Sequence, residues 1–200
     1  MHTIIVPTCK TRDQVEPLLE EIRGTAQGQY DLVATCTDAS AAANRNLGLA
    51  AARGNVVVMV DDDVTGYAMG WNTRLVHVLR SDPGCVMVSA QLLTADGTPG
   101  QMLGNPQPRA AGLQVVPRRE LPTACIAIRN DGTRFDERYV GSGWEDTDFC
   151  RRLAEIYPDG TFVVRHDVRA VHLNEQKRQG ENFVANKRRF EEVWGKHPYF

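Results

Sequence analysis

The stretch Asn55-Val56-Val57-Val58-Met59-Val60, followed directly by Asp61-Asp62-Asp63, carries the strongest fold signal in this 200-residue chain. A continuous run of β-branched and other apolar residues is typical of a strand that is covered on both faces. Such strands occur in parallel sheets, where the chain returns through a helix before the next strand. The stretch therefore predicts a central strand in an α/β domain, with three carboxylates at its carboxyl end.

The segments on either side alternate between strand and helix patterns. Strands are predicted over residues 3–6, 31–35, 85–93, 112–116, 123–128, 161–164 and 168–172, and helices over 15–24, 41–52, 71–79, from about 142, and through 183–194. This alternation predicts an α/β fold with a mostly parallel sheet flanked by helices and a small antiparallel part in the C-terminal half. The Gly- and Pro-rich residues 94–108 interrupt the rhythm, which predicts a long loop.

Composition limits the functional class. The chain is 42% hydrophobic and 24% charged with a net charge of −2, which argues against a generic nucleic-acid binder. No apolar run approaches the roughly 20 residues of a membrane span, and the first residues do not resemble a signal peptide, so a cytoplasmic protein without a transmembrane segment is expected. The cysteines form no C-x-x-C pair and are expected to be reduced. Without a recognisable linker, residues 1–200 are expected to form one domain.

The three carboxylates at the end of the central strand suggest a metal site. They repel one another unless a hard cation lies among them, and Mg²⁺ or Mn²⁺ typically joins one or two carboxylates to substrate phosphates. If the strand geometry continues, Asp61 and Asp63 point to the same side, one toward a nucleoside and the other toward the metal. A polar strand end followed by a turn explains the same residues without any metal.

A second acidic segment, Gly141-Ser142-Gly143-Trp144-Glu145-Asp146-Thr147-Asp148, precedes a helical pattern. Ser142 and Glu145 match a capping box, and the helix dipole explains a carboxylate at Asp146. Alternatively, the flanking glycines admit a substrate, Trp144 offers a flat surface on which a sugar stacks, and a carboxylate beside it acts as a general base. The spacing by itself favours the cap.

His172 ends the predicted strand 168–172 and is a candidate metal ligand. Imidazole is accepted by Mn²⁺ but is not preferred by Mg²⁺. His166 and His197 compete for the same role, and a structural histidine is the alternative.

Taken in order, these segments resemble family-2-like GT-A glycosyltransferases over nearly the whole chain. Ile4-Ile5-Val6-Pro7-Thr8 resembles the opening strand, Asp38-Ala39-Ser40 the D-G-S segment, and Arg45-Asn46-Leu47-Gly48 the R-N-x-G segment. Asp61-Asp62-Asp63 matches the D-x-D motif, and Phe135-Asp136-Glu137 with Trp144-Glu145-Asp146-Thr147-Asp148 resembles the F-D-E and E-D-x-D block. His172 and the segment from Phe190 to Trp194-Gly195 match later family features. In the D-G-S segment, Ala39 replaces the usual glycine. Thr37 stands where an acidic residue often precedes this segment.

The resemblance implies an inverting, metal-dependent transfer of a sugar from a nucleotide-diphosphate-sugar, UDP-linked or similar, to a hydroxyl. It implies Asp146 as the catalytic base, Asp63 and His172 as ligands of Mn²⁺ or Mg²⁺, and Trp144 and Glu145 as substrate contacts. The expected donor contacts are Pro7, Thr8, Asp38, Arg45, Asp61 and Asp62. Residues 1–93 are expected to bind the nucleotide-sugar, and residues 94–200 to provide the acceptor and catalytic half.

The acceptor is open. Residues 161–200 carry eight Lys and Arg against five Asp and Glu, an excess that mildly favours an anionic acceptor among glycans, small molecules and modified DNA. Two other functions remain possible on the sequence. One is a nucleotidyltransferase, which normally has a Gly-rich loop after the first strand, where this chain has no glycine. The other is a nucleotide-sugar-binding module without turnover.

Overall fold

The computed structural model describes residues 1–37, 39–100, 112–173 and 180–197. The strands are β1 (His2–Thr8), β2 (Tyr30–Cys36), β3 (Val56–Val60), β4 (Val64–Thr65), β5 (Cys85–Leu93), β6 (Leu113–Val115), β7 (Cys125–Arg129) and β8 (Thr161–His172). The helices are α1 (Arg12–Thr25), α2 (Ala41–Ala51), α3 (Trp71–Ser81), α4 (Glu145–Ile156) and α5 (Glu181–Trp194).

In the described residues these strands form one sheet in the order β2-β1-β3-β7-β5-β8-β4, with β6 also paired to β8. β1, β2, β3, β5 and β8 run in one direction, and β4, β6 and β7 run in the other. The α/β class, the mostly parallel direction of the strands and the antiparallel part are therefore confirmed. The carboxyl ends of β1, β2 and β3 lie side by side, and loops that follow them form one edge of the sheet.

Side chains of the central strands alternate between two cores, one on each face of the sheet. On one face Ile4 and Val58 join α1 and α3 through Ile22, Trp71 and Leu75. On the other, Ile5, Val57 and Met59 join α2 and α4 through residues that include Leu49 and Phe149. All five residues of β3 are buried, as the apolar run predicts for a strand covered on both faces.

The last helix, α5, forms a third and smaller core. Its Phe190 is 1% exposed and packs with Tyr139 and Trp144, with Phe183 and Trp194 at the margin. This cluster joins the C-terminal helix to the segment that leads into α4.

The structure differs from the sequence prediction in the C-terminal half. The two predicted strands 161–164 and 168–172 are one strand, β8, whose pairing with β5 shifts register between Ala90 and Gln91. The two-residue strand β4 was not predicted, because so short a run carries no periodicity. The predicted loop 94–108 is described only to residue 100, and its remainder lies outside the described residues.

Two further findings concern the whole described chain. All five cysteines are free thiols; Cys85, Cys125 and Cys150 are buried, whereas Cys9 and Cys36 are exposed. Among the helices of the described residues, none combines the length and the apolar character that a membrane crossing requires.

Candidate active site

The three consecutive carboxylates do not continue the geometry of β3. The strand ends at Val60, and the Val64 N–H donates to the Asp61 carbonyl at 3.2 Å, which closes a turn. Strand alternation therefore does not apply to Asp61 and Asp63, and the expectation that strand geometry aligns them is wrong. Each of the three side chains meets a different partner, and no group of three potential metal ligands occurs in the described residues.

Asp63 lies beside His172. Strand β4 pairs with the end of β8, Val64 opposite His172, and the Leu173 N–H donates to the Asp63 carbonyl at 2.9 Å. This pairing places Asp63 Oδ1 3.2 Å from His172 Nε2. The two predicted metal ligands, remote in sequence, are therefore neighbours in the fold.

The Asp63–His172 pair fits a divalent cation. Two ligands about 2.1 Å from one ion and at a right angle lie about 3 Å apart, close to the observed separation. A carboxylate and an imidazole suit Mn²⁺ better than Mg²⁺, and such ions complete their shells with water and substrate phosphates. The two competing histidines lie elsewhere: His166 contacts Gln91 and Gln114, and His197 contacts Glu120.

Asp62 joins the end of β1 to the end of β3. The Thr8 hydroxyl donates to Asp62 Oδ2 at 2.5 Å, and Lys10 Nζ donates to the Asp62 carbonyl at 2.6 Å. The same ammonium lies 3.3 Å from Asp62 Oδ1. Thr8 and Asp62, both predicted donor contacts, thus lie together. Pro7 precedes them in β1, opposite Thr35 of β2.

Arg45 connects the two acidic segments. Its side chain leaves α2, which begins where the Ser40 hydroxyl accepts from the Ala43 N–H. One terminal nitrogen donates to both carboxylate oxygens of Asp61 at 3.0 Å, and the other donates to Glu145 Oε1 at 2.8 Å. Although burial opposes its charge, the two carboxylates outweigh that effect and raise the pKa of Arg45. The guanidinium is therefore a fixed cation between β3 and α4.

The rest of the segment that contains Arg45 also has a structural role. The Asn46 side-chain amide donates to the Phe135 carbonyl at 2.9 Å and accepts from the Phe135 N–H at 2.8 Å. A Cβ at Gly48 would lie 2.9 Å from Ile5 Cδ1, so the glycine permits close packing of α2 on β1. These contacts explain the R-N-x-G pattern as a junction between segments of the site.

The predicted capping box at α4 is wrong. The N-cap residue is Trp144, in a left-handed conformation with φ of 72° and without a side-chain cap, rather than Ser142. Glu145 is 3% exposed, and one of its oxygens binds Arg45, while Oε2 has no hydrogen-bond partner among the described residues. The attraction of Arg45 directs this carboxylate away from the helix end.

Asp146 differs electrostatically from its neighbour Glu145. In the described residues its side chain accepts one hydrogen bond, from the Thr147 N–H at 2.8 Å. Burial raises the pKa of Asp146 to about 6, with the Glu145 carboxylate adding to the effect and Arg45 opposing it. A carboxylate with a pKa near the working pH is suited to accept a proton.

The ring of Trp144 is not an open stacking surface. The residue is 5% exposed, and its ring centroid lies 5.0 Å from that of Phe190, 5.8 Å from that of Phe183 and 5.6 Å from that of His197. The prediction of an open sugar-stacking face at this ring is therefore corrected. The left-handed backbone turns the side chain inward. Asp38, the remaining predicted donor contact, lies outside the described residues.

Comparison with solved structures identifies the fold. A crystal structure of GalNAc-T7 with UDP, GalNAc and Mn²⁺ matches with a TM-score of 0.69 and 13% identity, over 96% of this chain and 47% of that one. S. aureus TarS matches with a TM-score of 0.57 and 14% identity, over 95% of this chain and 39% of that one. The chain has the GT-A fold of glycosyltransferases. At such identities the likeness establishes the fold alone.

The chain spans about half, or less, of the length of these two solved chains. TarS residues 1–349 match with a TM-score of 0.58 and 16% identity, over 95% of this chain and 64% of that one. No protein-family model and no curated protein sequence matches the chain.

Sequence reasoning missed two features of this candidate site. Lys10 is not among the predicted site residues, although a lysine after the first strand is placed to meet carboxylates at the same sheet edge. The joint contact of Arg45 with Asp61 and Glu145 gave no sequence signal, because Glu145 is 100 residues away.

Proposed function

We propose that this chain is a metal-dependent glycosyltransferase that transfers a sugar from a nucleotide-diphosphate-sugar to an acceptor hydroxyl with inversion. One observation carries the proposal: Arg45 joins the end of β3, which leads to the Asp63–His172 pair, to the start of α4, where Asp146 has a raised pKa. The likeness to GalNAc-T7, which was crystallised with UDP, GalNAc and Mn²⁺, supports the choice of donor and ion.

The donor side is assigned to the carboxyl ends of β1 and β3, where ligands of open α/β sheets bind. The proposed donor contacts are Pro7, Thr8, Asp38, Arg45, Asp61 and Asp62. The division into a donor half, 1–93, and an acceptor half, 94–200, is retained. His172, from the second half, then completes the donor site through β4 and β8.

Asp63 and His172 are assigned as the protein ligands of Mn²⁺ or Mg²⁺. A divalent cation there supplies positive charge that neutralises the departing nucleoside diphosphate. Lys10 adds a fixed positive charge near the same strand ends, 3.3 Å from Asp62.

Asp146 is assigned as the general base. Its ionised carboxylate accepts the proton of the acceptor hydroxyl while that oxygen bonds to the anomeric carbon and the bond from this carbon to the diphosphate breaks. Glu145 is assigned to the acceptor side because it lies next to Asp146. Its own carboxylate binds Arg45, so no direct acceptor contact is assigned to it. A single displacement of this kind inverts the anomeric centre.

A donor screen tests the proposal. The parent chain is incubated with UDP-, GDP- and dTDP-sugars, with and without manganese, and thermal stabilisation and donor cleavage are measured. The proposal predicts manganese-dependent stabilisation and release of the nucleoside diphosphate. Release of pyrophosphate from nucleoside triphosphates would indicate a nucleotidyltransferase instead. Binding without cleavage, even in the presence of acceptor pools, would indicate a binding module.

A further inference from the structure

The segment that leads into α4 has an unusual backbone. Gly141, Gly143 and Trp144 have φ values of 62°, 106° and 72°. A left-handed conformation is uncommon for a bulky residue and is strained unless surrounding contacts impose it. The conformation of Trp144 therefore requires support from outside the segment.

Helix α5 provides that support through one side chain. Asn186, 2% exposed, accepts a hydrogen bond from the Val140 N–H at 2.9 Å and donates to the Val140 and Gly143 carbonyls, each at 2.9 Å. A single amide thus binds both ends of the 140–143 loop. On the same helix, Phe183 lies so near Gly143 that a Cβ there would be 2.8 Å from its ring.

This loop determines where the acidic helix start lies. Trp144 follows it immediately, Glu145 begins α4, and Asp146 is the next residue. The Gly141 carbonyl accepts from the Ala41 N–H at 2.9 Å, so the loop also touches the start of the helix that carries Arg45. A shift of the loop would move Asp146 relative to Arg45 and the end of β3.

We propose that Asn186 is a positioning residue: it fixes the 140–143 loop and thereby directs Asp146 toward the acceptor hydroxyl. This inference rests on the proposed function, because Asn186 acts only through Asp146. Misplacement of a reacting group by about 1 Å costs about 100-fold in rate. None of the hydrogen bonds that Asn186 makes to the loop involves the ends of β1 and β3, so donor affinity should change much less.

The first test compares two positions of α5. Asn186→Ala removes the three hydrogen bonds that this side chain makes to the loop, and Val184→Ala, at a position of the same helix that is 50% exposed, is the control. Donor cleavage per folded molecule should fall about 10–100-fold in Asn186→Ala, while the affinity for UDP with manganese stays at the parent value. Hydrogen exchange in peptides that cover 141–149 should accelerate. Val184→Ala should match the parent in all three measurements.

The second test leaves Asn186 in place and displaces the loop. Gly143→Ala places a methyl group against Phe183, whereas Gly132→Ala adds one at a similar φ of 98° with no atom within 4 Å. Both substitutions impose a similar backbone cost, but only Gly143→Ala should reduce cleavage without changing nucleotide affinity. This pair decides the question if Asn186→Ala does not fold.

The outcomes separate this inference from the proposed function. Parent-level cleavage per folded molecule in Asn186→Ala, or in Gly143→Ala when only that variant folds, would overturn the positioning role. Equal losses of cleavage and of UDP–manganese affinity would also overturn it, because they indicate general damage. If the parent cleaves no nucleotide-sugar, the proposed function fails, and the positioning role fails with it, before any variant is compared.

Discussion

The two acidic segments of the site differ in how their charges are compensated. After β3, each carboxylate has a cationic or imidazole partner from another part of the chain: Asp61 has Arg45, Asp62 has Lys10, and Asp63 has His172. At the start of α4, Arg45 contacts Glu145, whereas Asp146 accepts only the Thr147 N–H within the described residues.

This difference suggests a division of roles. A carboxylate held beside positive charge stays ionised and suits the binding of a cation or a polar donor. A partly buried carboxylate that accepts no hydrogen bond from a cation has a raised pKa when desolvation outweighs the attraction of more distant charges, as at Asp146, and suits proton transfer. The same residue type is therefore assigned opposite tasks by its surroundings, and the predictions below change those surroundings one at a time.

The largest effect is expected at Asp146. Asp146→Asn keeps the size of the side chain but cannot accept the proton, so turnover should fall about 10²–10⁴-fold in a donor-cleavage assay. Asp13→Asn is a matched control, since Asp13 is also the second residue of its helix and is exposed. Asp13→Asn should lower the free energy of unfolding by about 0.3–1 kcal/mol and leave turnover unchanged. Similar turnover in both variants would remove Asp146 from the mechanism.

Arg45 should be the main contributor to stability among the charged residues of the site. Arg45→Ala leaves the buried Glu145 and the half-buried Asp61 without their cation, which should lower the free energy of unfolding by about 3–5 kcal/mol in urea. Arg23→Ala removes the exposed pair with Glu16 and should lower the free energy of unfolding far less, because solvent screens that pair. If the two losses are equal, Arg45 does not connect the segments energetically.

His172 should affect the metal and little else. His172→Ala should weaken the binding of manganese about 10–100-fold in calorimetry. His166→Ala is the control, because His166 lies on the same strand but contacts Gln91 and Gln114. Loss of thermal stability at unchanged manganese affinity would identify His172 as a structural histidine.

The smallest effect is a shift in pH dependence. Asp146 must be ionised to act, and its pKa is raised from 3.8 to about 6, so kcat/KM should fall as the pH is lowered through about 6. Glu145→Gln removes a negative charge that raises this pKa, so the midpoint should move to lower pH. An unchanged midpoint would show that another group controls the acid limb.

The sequence predicted the order of elements well because long periodic segments report burial directly. The apolar run of β3 predicted a doubly covered strand, and all five residues are buried. The division of 161–172 into two strands was wrong. Residues 161–172 form one strand, and only its pairing register with β5 changes, between Arg165 and Arg169. The strand β4 is too short to show any pattern.

The site was predictable in its residue types but not in its pairings. Asp63 and His172 meet because β4 pairs with β8, a contact over long sequence separation that no local signal reports. The prediction of a capping box at Ser142 was wrong for a related reason. Local spacing favours a cap, but Arg45 binds the Glu145 carboxylate, and Asn186 fixes the loop before it. Tertiary contacts from α2 and α5 thus replaced the local interaction.

Titrating manganese and UDP into Asp63→Asn and Asp146→Asn, with donor cleavage measured on the same samples, tests the division of roles most directly. Asp63→Asn should lose manganese-dependent binding of UDP, since it loses a proposed ligand of the ion. Asp146→Asn should bind manganese and UDP like the parent and yet cleave the donor about 10²–10⁴-fold more slowly. Parent-like binding in Asp63→Asn, or the same loss of binding in both variants, would contradict the separation of metal site and base.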